Sequence, residues 1–169
     1  LYGDITAGND GNGINLCWLT INLDGDSLAY RTISSYYYEY ATWQSMFITP
    51  DTGMVVGYSK SITGSFSDSY IAKFDQAGNT VWATAYNKRR YDSTISVDKT
   101  ADNTGYVYTV ASTEGGADMP THVATVVRIN NNGDTLWTTT LNETSELVYH
   151  PLVRSLLNGN FLVTWCQDT

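Results

Sequence analysis

Two unrelated sequence markers recur along this chain with nearly the same period. A period of about 50 residues means several copies of one supersecondary unit rather than a single irregular fold. The first marker is a glycine that leads an apolar run, in Gly3-Asp4-Ile5-Thr6, Gly53-Met54-Val55-Val56, Gly105-Tyr106-Val107-Tyr108 and Gly159-Asn160-Phe161-Leu162. These glycines stand 50, 52 and 54 residues apart. The second marker lies between them and joins an apolar run, an Asp/Asn-rich turn with a glycine, and a second apolar run. Its copies are Leu16 to Tyr30 around Gly25, Tyr70 to Trp82 around Gly78, and Val123 to Trp137 around Gly133, with those glycines 53 and 55 residues apart.

Each unit therefore reads as four strands. Strand A precedes a polar turn, as in Gln44-Ser45-Met46-Phe47-Ile48-Thr49, and strand B follows the turn glycine. A Gly/Ser/Asp-rich loop leads to strand C, and a hairpin leads from C to D. Period-two alternation supports strands locally, with Ile71 and Lys73 facing one way and Ala72 and Phe74 the other. Composition agrees: 14 Gly, only 3 Pro, and 13 Tyr with 5 Trp suit short strands joined by tight turns. Gly25, Gly53, Gly78, Gly105, Gly133 and Gly159 are the expected turn residues. No sustained helical period appears.

Four-stranded units at this period suit the blades of a β-propeller, with a β-solenoid as the structural rival and a β-sandwich weaker still. The expected blades are 1–33 (partial), 38–88, 90–142 and 145–169 (partial). They amount to little more than three, fewer than the roughly four of the smallest closed propellers. An all-β segment of a longer propeller is the preferred expectation, and completion by neighbouring subunits is the alternative. Trp82 and Trp137 recur at equivalent positions and are expected to pack between blades. In the first unit, Tyr30 is expected in their place after a hairpin shortened by two residues.

The stretches Asp51-Thr52-Gly53-Met54-Val55-Val56-Gly57-Tyr58 and Asp68-Ser69-Tyr70-Ile71-Ala72-Lys73-Phe74-Asp75-Gln76-Ala77-Gly78-Asn79-Thr80-Val81-Trp82 carry a further signal. They resemble the blades of bacterial, archaeal and ciliate secreted or surface β-propeller repeat proteins, which share an Asp-x-x-Gly-Asn-x-x-Trp motif. The resemblance covers practically the whole chain. It implies a display, adhesion or assembly module and supplies no catalytic residues to carry over.

Seventeen acidic against nine basic residues give a net charge of -8, which disfavours tracking a phosphate backbone. No apolar stretch reaches the ~20 residues that a helix needs to cross a bilayer. No nucleic-acid partner and no membrane insertion are expected. The start at Leu1-Tyr2-Gly3 reads as processed or trimmed.

Chemistry is sparse. His122 and His150, the only histidines, share no metal-ligand spacing with Cys17 or Cys166. Ser155 and His150 have no nucleophile-elbow pattern around them. The Asp/Asn turns around Gly25, Gly78 and Gly133 offer too few carboxylates for Ca²⁺, which takes about six to eight oxygens. No cofactor is expected, and a weak Ca²⁺ site in the Asp/Asn-rich loops is the alternative. Tyr36, Tyr37, Tyr38 and Tyr40 form a possible contact surface. Asn142 heads the one glycosylation sequon.

The sequence thus points to a non-enzymatic extracellular or cell-surface scaffold or adhesion module. Its expected partners are other blades of the same chain, neighbouring subunits, or a protein or glycan ligand. The alternatives are a carbohydrate-binding propeller, or a non-catalytic part of a larger secreted glycan-active enzyme.

Overall fold

A computed structural model describes residues 17–32, 39–61, 67–88, 91–114, 121–141 and 148–167. Among them the fold is all-β. The strands are β1 (Cys17–Ile21), β2 (Ser27–Thr32), β3 (Glu39–Ile48), β4 (Met54–Ser61), β5 (Ser67–Phe74), β6 (Thr80–Tyr86), β7 (Tyr91–Lys99), β8 (Gly105–Glu114), β9 (Thr121–Asn130), β10 (Thr135–Thr140), β11 (Val148–Ser155) and β12 (Phe161–Gln167).

Neighbours in sequence pair antiparallel, giving the meanders β3–β4–β5–β6 and β7–β8–β9–β10 and the hairpins β1–β2 and β11–β12. The meanders meet where β3 and β7 run parallel, with Gln44 opposite Ser96. β11 in turn lies against β7 and β8. It is held there by side chains: Ser96 Oγ stands 3.4 Å from both the amide and the carbonyl of Val153. Thr109 Oγ1 donates to the Pro151 carbonyl at 2.5 Å, and the Ser155 amide donates to Asp98 Oδ2 at 2.8 Å.

The hairpins β1–β2, β5–β6 and β9–β10 close through one turn geometry. The amides of Asn22, Asp75 and Asn130 donate to the carbonyls four residues on, at 2.9–3.0 Å. Gly25, Gly78 and Gly133 take φ of 91°, 90° and 88°. This left-handed position after a tight turn is the one glycine occupies without a Cβ penalty. The three hairpins are equal in length, so the expected shortening of the first does not occur. Counting from the glycines and from the pairing Thr20↔Ala29, Lys73↔Trp82 and Arg128↔Trp137, the residue at the tryptophan position is Ala29, not Tyr30.

The turns from β3, β7 and β11 into the following strand also share a form, with left-handed residues Thr52 (φ 62°), Asn103 (φ 58°) and Gly159 (φ 86°). The Thr49, Thr100 and Leu156 amides donate to the carbonyls of Gly53, Gly105 and Asn160. Gly159 thus corresponds to Thr52 and Asn103, and Asn160 to Gly53 and Gly105, one residue off the spacing read in sequence. Gly53 and Gly105 serve close approach. A Cβ on Gly105 would sit 2.0 Å from the Ile129 carbonyl oxygen, and one on Gly53 2.3 Å from that of Phe74.

Burial follows position within each meander. β5 and β9 lie inside and are buried on both faces, whereas β6 and β10 are mostly exposed. The two faces of the first meander reach different clusters. Val55 and Ile71 pack with Tyr106, Tyr108, Val110, Val127 and Ile129 of the second meander. Val56, Ala72 and Phe74 form a cluster on the opposite face. The second meander repeats the pattern, with Val107 and Val126 meeting Val153, Phe161 and Val163 of the last hairpin. Each large side chain buried in this way contributes about 1.5–3 kcal/mol.

Gly105→Ala is expected to cost about 3 kcal/mol, because the methyl group has no room against backbone. Gly25→Ala, with nothing within 4 Å of its added Cβ, carries only the left-handed penalty of about 1 kcal/mol. Urea unfolding of both variants measures the difference, and equal losses would contradict the close-approach role.

Candidate functional site

Two seams between units concentrate the polar and aromatic groups. At the first, Trp82 projects from β6 onto the β9–β10 turn. Its indole Nε1 donates to the Asn131 carbonyl at 2.9 Å, and Thr84 Oγ1 donates to the Gly133 carbonyl at 2.6 Å. The indole ring lies 6.1 Å from the Tyr106 ring, and a Cβ on Gly133 would meet it at 2.8 Å. Trp137 makes the corresponding contact with Phe161, at 5.9 Å and 60°. Tyr106 and Phe161 occupy equivalent first positions after the turn. Each tryptophan thus caps the next unit rather than opening a pocket.

Ala29 leaves the equivalent contact of the first hairpin without an indole. There Arg31 Nε donates to the Ala77 carbonyl at 3.3 Å, from the position equivalent to Thr84. A guanidinium-to-backbone bond stands where the other seam uses a hydroxyl.

The second group is buried. Asp92, fully enclosed on β7, accepts hydrogen bonds from the Ser112 hydroxyl on β8 and from the Lys88 amide at 2.9 Å. Asp68 on β5 is nearly buried close by. Its carboxyl is pushed above the ordinary 3.8, first by burial and then by the Asp92 charge. These acids escaped the sequence reading, although the repeat contained a clue: the position of Asp68 is held by Val123 in the following unit. Asp92, through these bonds, acts as a latch that ties the β6–β7 connection and β8 to β7.

A repeated ion pair lies at the opposite turns. Lys73 Nζ meets Asp51 Oδ2 at 2.7 Å, and Arg128 Nη2 meets Asp102 Oδ2 at 3.2 Å and Thr104 Oγ1 at 2.9 Å. Both acids fall to about 2, Asp51 chiefly through the Lys73 hydrogen bond and Asp102 chiefly through Thr100. Both pairs are solvent-facing, where such bridges contribute little beyond orientation.

Trp82 and Trp137 lie on the seams; Gly25, Gly78, Gly133 and Gly159 occupy left-handed turn positions, while Gly53 follows its turn and Gly105 opens β8. The leading Asn or Asp of each hairpin turn is engaged locally. Asn22 Oδ1 accepts the Asp24 and Asp26 amides, Asp75 Oδ1 accepts that of Asn79, and Asn130 Oδ1 those of Asn132 and Asp134. These Asx bonds occupy oxygens that a Ca²⁺ site would need. No group of three or more metal-ligating side chains occurs among the described residues.

His150 is exposed on β11 at a left-handed φ of 49°, beside a register break. Cys17 is half-buried, with its Sγ accepting the Tyr30 hydroxyl at 3.1 Å, and Cys166 is exposed; they form no disulfide with each other. Tyr36, Tyr37, Tyr38 and Asn142 lie outside the described residues. So do the side chains of Tyr40 and His122, whose backbones belong to β3 and β9.

No family model matches the chain, and no curated protein matches it.

Two outcomes test the seam and the acids. Trp82→Ala is expected to cost about 2–4 kcal/mol in urea unfolding, somewhat below a fully buried tryptophan. Asp68→Asn is expected to raise Tm at pH 7, where the native state must hold a buried carboxylate. A raised native pKa makes stability fall as pH rises above the ordinary 3.8, so the gain should vanish below that value. Asp51 and Asp102 run the other way. Their contribution is present above the ordinary range and lost as pH falls toward about 2.

Proposed function

We propose that the chain is a segment of a β-propeller serving as a non-enzymatic scaffold or adhesion module of a secreted or cell-surface protein. One observation carries the reading: the four-stranded units stack face to face through repeated contacts. Val55 and Ile71 of one unit lie on Tyr106, Tyr108 and Val127 of the next, and Val107 and Val126 of that one lie on Val153. Their first strands, β3, β7 and β11, come side by side along one edge, as the inner strands of blades around a shared axis do.

The scaffold role is supported by how the ionisable groups are used. Asp75 bonds to the Asn79 amide, Asp51 and Asp102 meet Lys73 and Arg128, and Asp92 bonds to Ser112 and Lys88. Such groups are occupied in holding strands and turns in place. A carbohydrate-binding reading is the alternative. The stacked Tyr58–Tyr70 pair, 5.4 Å between rings, has the flat aromatic character that sugars favour, yet Tyr58 also packs on the Val56, Ala72 and Phe74 cluster.

The test is to coat beads with the chain and measure attachment to intact cells and to a panel of defined glycans. Turnover of glycoside, ester and peptide substrates is followed in parallel. Attachment to cells without turnover is the expected result. Heat-labile turnover would overturn the non-enzymatic reading, and selective retention on one glycan, lost in Tyr58→Ala, would replace adhesion with sugar binding.

A further inference from the structure

An asparagine side chain loses its amide most readily when glycine follows, because glycine leaves its own backbone nitrogen unhindered and free to move. The chain holds three such pairs, Asn12-Gly13, Asn132-Gly133 and Asn158-Gly159, of which the last two lie among the described residues. Both stand in tight turns with the glycine left-handed, at φ 88° and 86°. We propose that Asn158 is a site of spontaneous deamidation in the folded protein, and that the Trp82 seam shields Asn132 from the same reaction.

The reaction is intramolecular. The Gly159 backbone nitrogen gives its proton to solvent base and attacks the side-chain carbonyl carbon of Asn158. The new bond closes a cyclic imide as the bond from that carbon to Nδ2 breaks, and the amide nitrogen leaves, reprotonated, as ammonia. Water then opens the imide at either carbonyl. One opening gives Asp; the other gives isoaspartate, in which the main chain runs through the former side chain. Asn158 Oδ1 accepts the Asn160 amide at 3.0 Å, a donor placed where negative charge develops as the nitrogen attacks.

The two turns differ in what must yield before that nitrogen is free. The Gly159 amide donates to the Leu156 carbonyl at 2.9 Å and the Gly133 amide to the Asn130 carbonyl at 3.1 Å, so each turn must open. Asn158 and Gly159 are exposed, and nothing lies within 4 Å of a Cβ on Gly159. Opening this turn breaks only bonds within it. Gly133 is buried, and a Cβ there would meet the Trp82 ring at 2.8 Å. Its turn is also held from outside. Trp82 Nε1 donates to the Asn131 carbonyl and Thr84 Oγ1 to that of Gly133, while Asn131 Nδ2 donates to the Asn103 carbonyl at 3.0 Å. Breaking these bonds as well slows the reaction at Asn132 by about tenfold or more.

The position gives the products different consequences. Asn158 stands where Asp51 and Asp102 stand in the equivalent turns. The Asp product therefore supplies the carboxylate that those turns already carry. It keeps an oxygen for the Asn160 amide, as Asp102 Oδ1 does for that of Thr104. Isoaspartate instead adds a methylene to the backbone between Leu156 and Asn160, whose 2.8 Å bond closes the turn beside the Ser155↔Phe161 pair. Either product makes the net charge of -8 more negative by one. The isoaspartate fraction also loosens the β11–β12 hairpin.

The test incubates the 169-residue chain at mildly alkaline pH, folded and in urea, and follows Asn132 and Asn158 by peptide mass mapping. Isoaspartyl methyltransferase labelling reports the isoaspartate. Asn158 is expected to convert about tenfold faster than Asn132 in the folded chain, and at a comparable rate in urea. Thr84→Val removes the hydroxyl of the clamp, and Trp82→Phe removes its N–H while keeping a ring. Each is expected to raise the Asn132 rate and leave that of Asn158 unchanged. A variant that unfolds takes both sites to the urea rate, and the other variant then decides. Equal conversion of the two sites in the folded chain, or an Asn158 that converts only in urea, overturns the proposal. A difference that persists in urea, or an Asn132 rate unmoved by both substitutions, overturns the shielding by the seam.

Discussion

Each four-stranded meander in this chain has two apolar faces, and neither can be buried within the meander itself. Val55 and Ile71 look one way and Val56, Ala72 and Phe74 the other, so both directions need a neighbour. Strand length, turn geometry and seam chemistry all follow from that constraint. A unit of this kind gains stability only by stacking, which is the energetic logic of repeat architectures.

The seams show how stacking is given a fixed registry. Apolar contact is non-directional and would let one sheet slide over the next. The Trp82 indole and the Thr84 hydroxyl grip the carbonyls of Asn131 and Gly133, which ties the outer strand of one unit to a turn of the following one. At the inner end, Asp92 joins Lys88 and Ser112 and pins the crossing from β6 to β7. The outer grip uses half-buried side chains and repeats with variation. The inner latch is buried and specific to one seam, and it carries the cost of holding Asp68 beside a second acid.

Variation between the units is informative for the same reason. Where Ala29 replaces the recurrent tryptophan, Arg31 reaches a backbone carbonyl instead. Where Thr20 replaces the strand cation, Asn158 replaces the turn acid.

Much of the architecture was legible in the sequence because its causes are local. An Asx bond and a glycine at positive φ close each hairpin from within five residues, and the strand geometry of β5 sends Ile71 to one face and Ala72 and Phe74 to the other. Local signals also misled where one substitution mimics another. Gly159 looked like the counterpart of Gly53 and Gly105, but only the turn hydrogen bonds reveal that it fills the left-handed site of Thr52 and Asn103. In the same way, pairing register rather than motif spacing identified Ala29 as the residue in the tryptophan position. The sequence by itself determined the strands, their turns and their repetition, since these depend on neighbours a few residues apart. Only the tertiary structure decided which faces meet, that Asp68 and Asp92 share a buried seam, and that Gly53 and Gly105 are glycine for want of space, because those facts arise from approaches between strands distant along the chain.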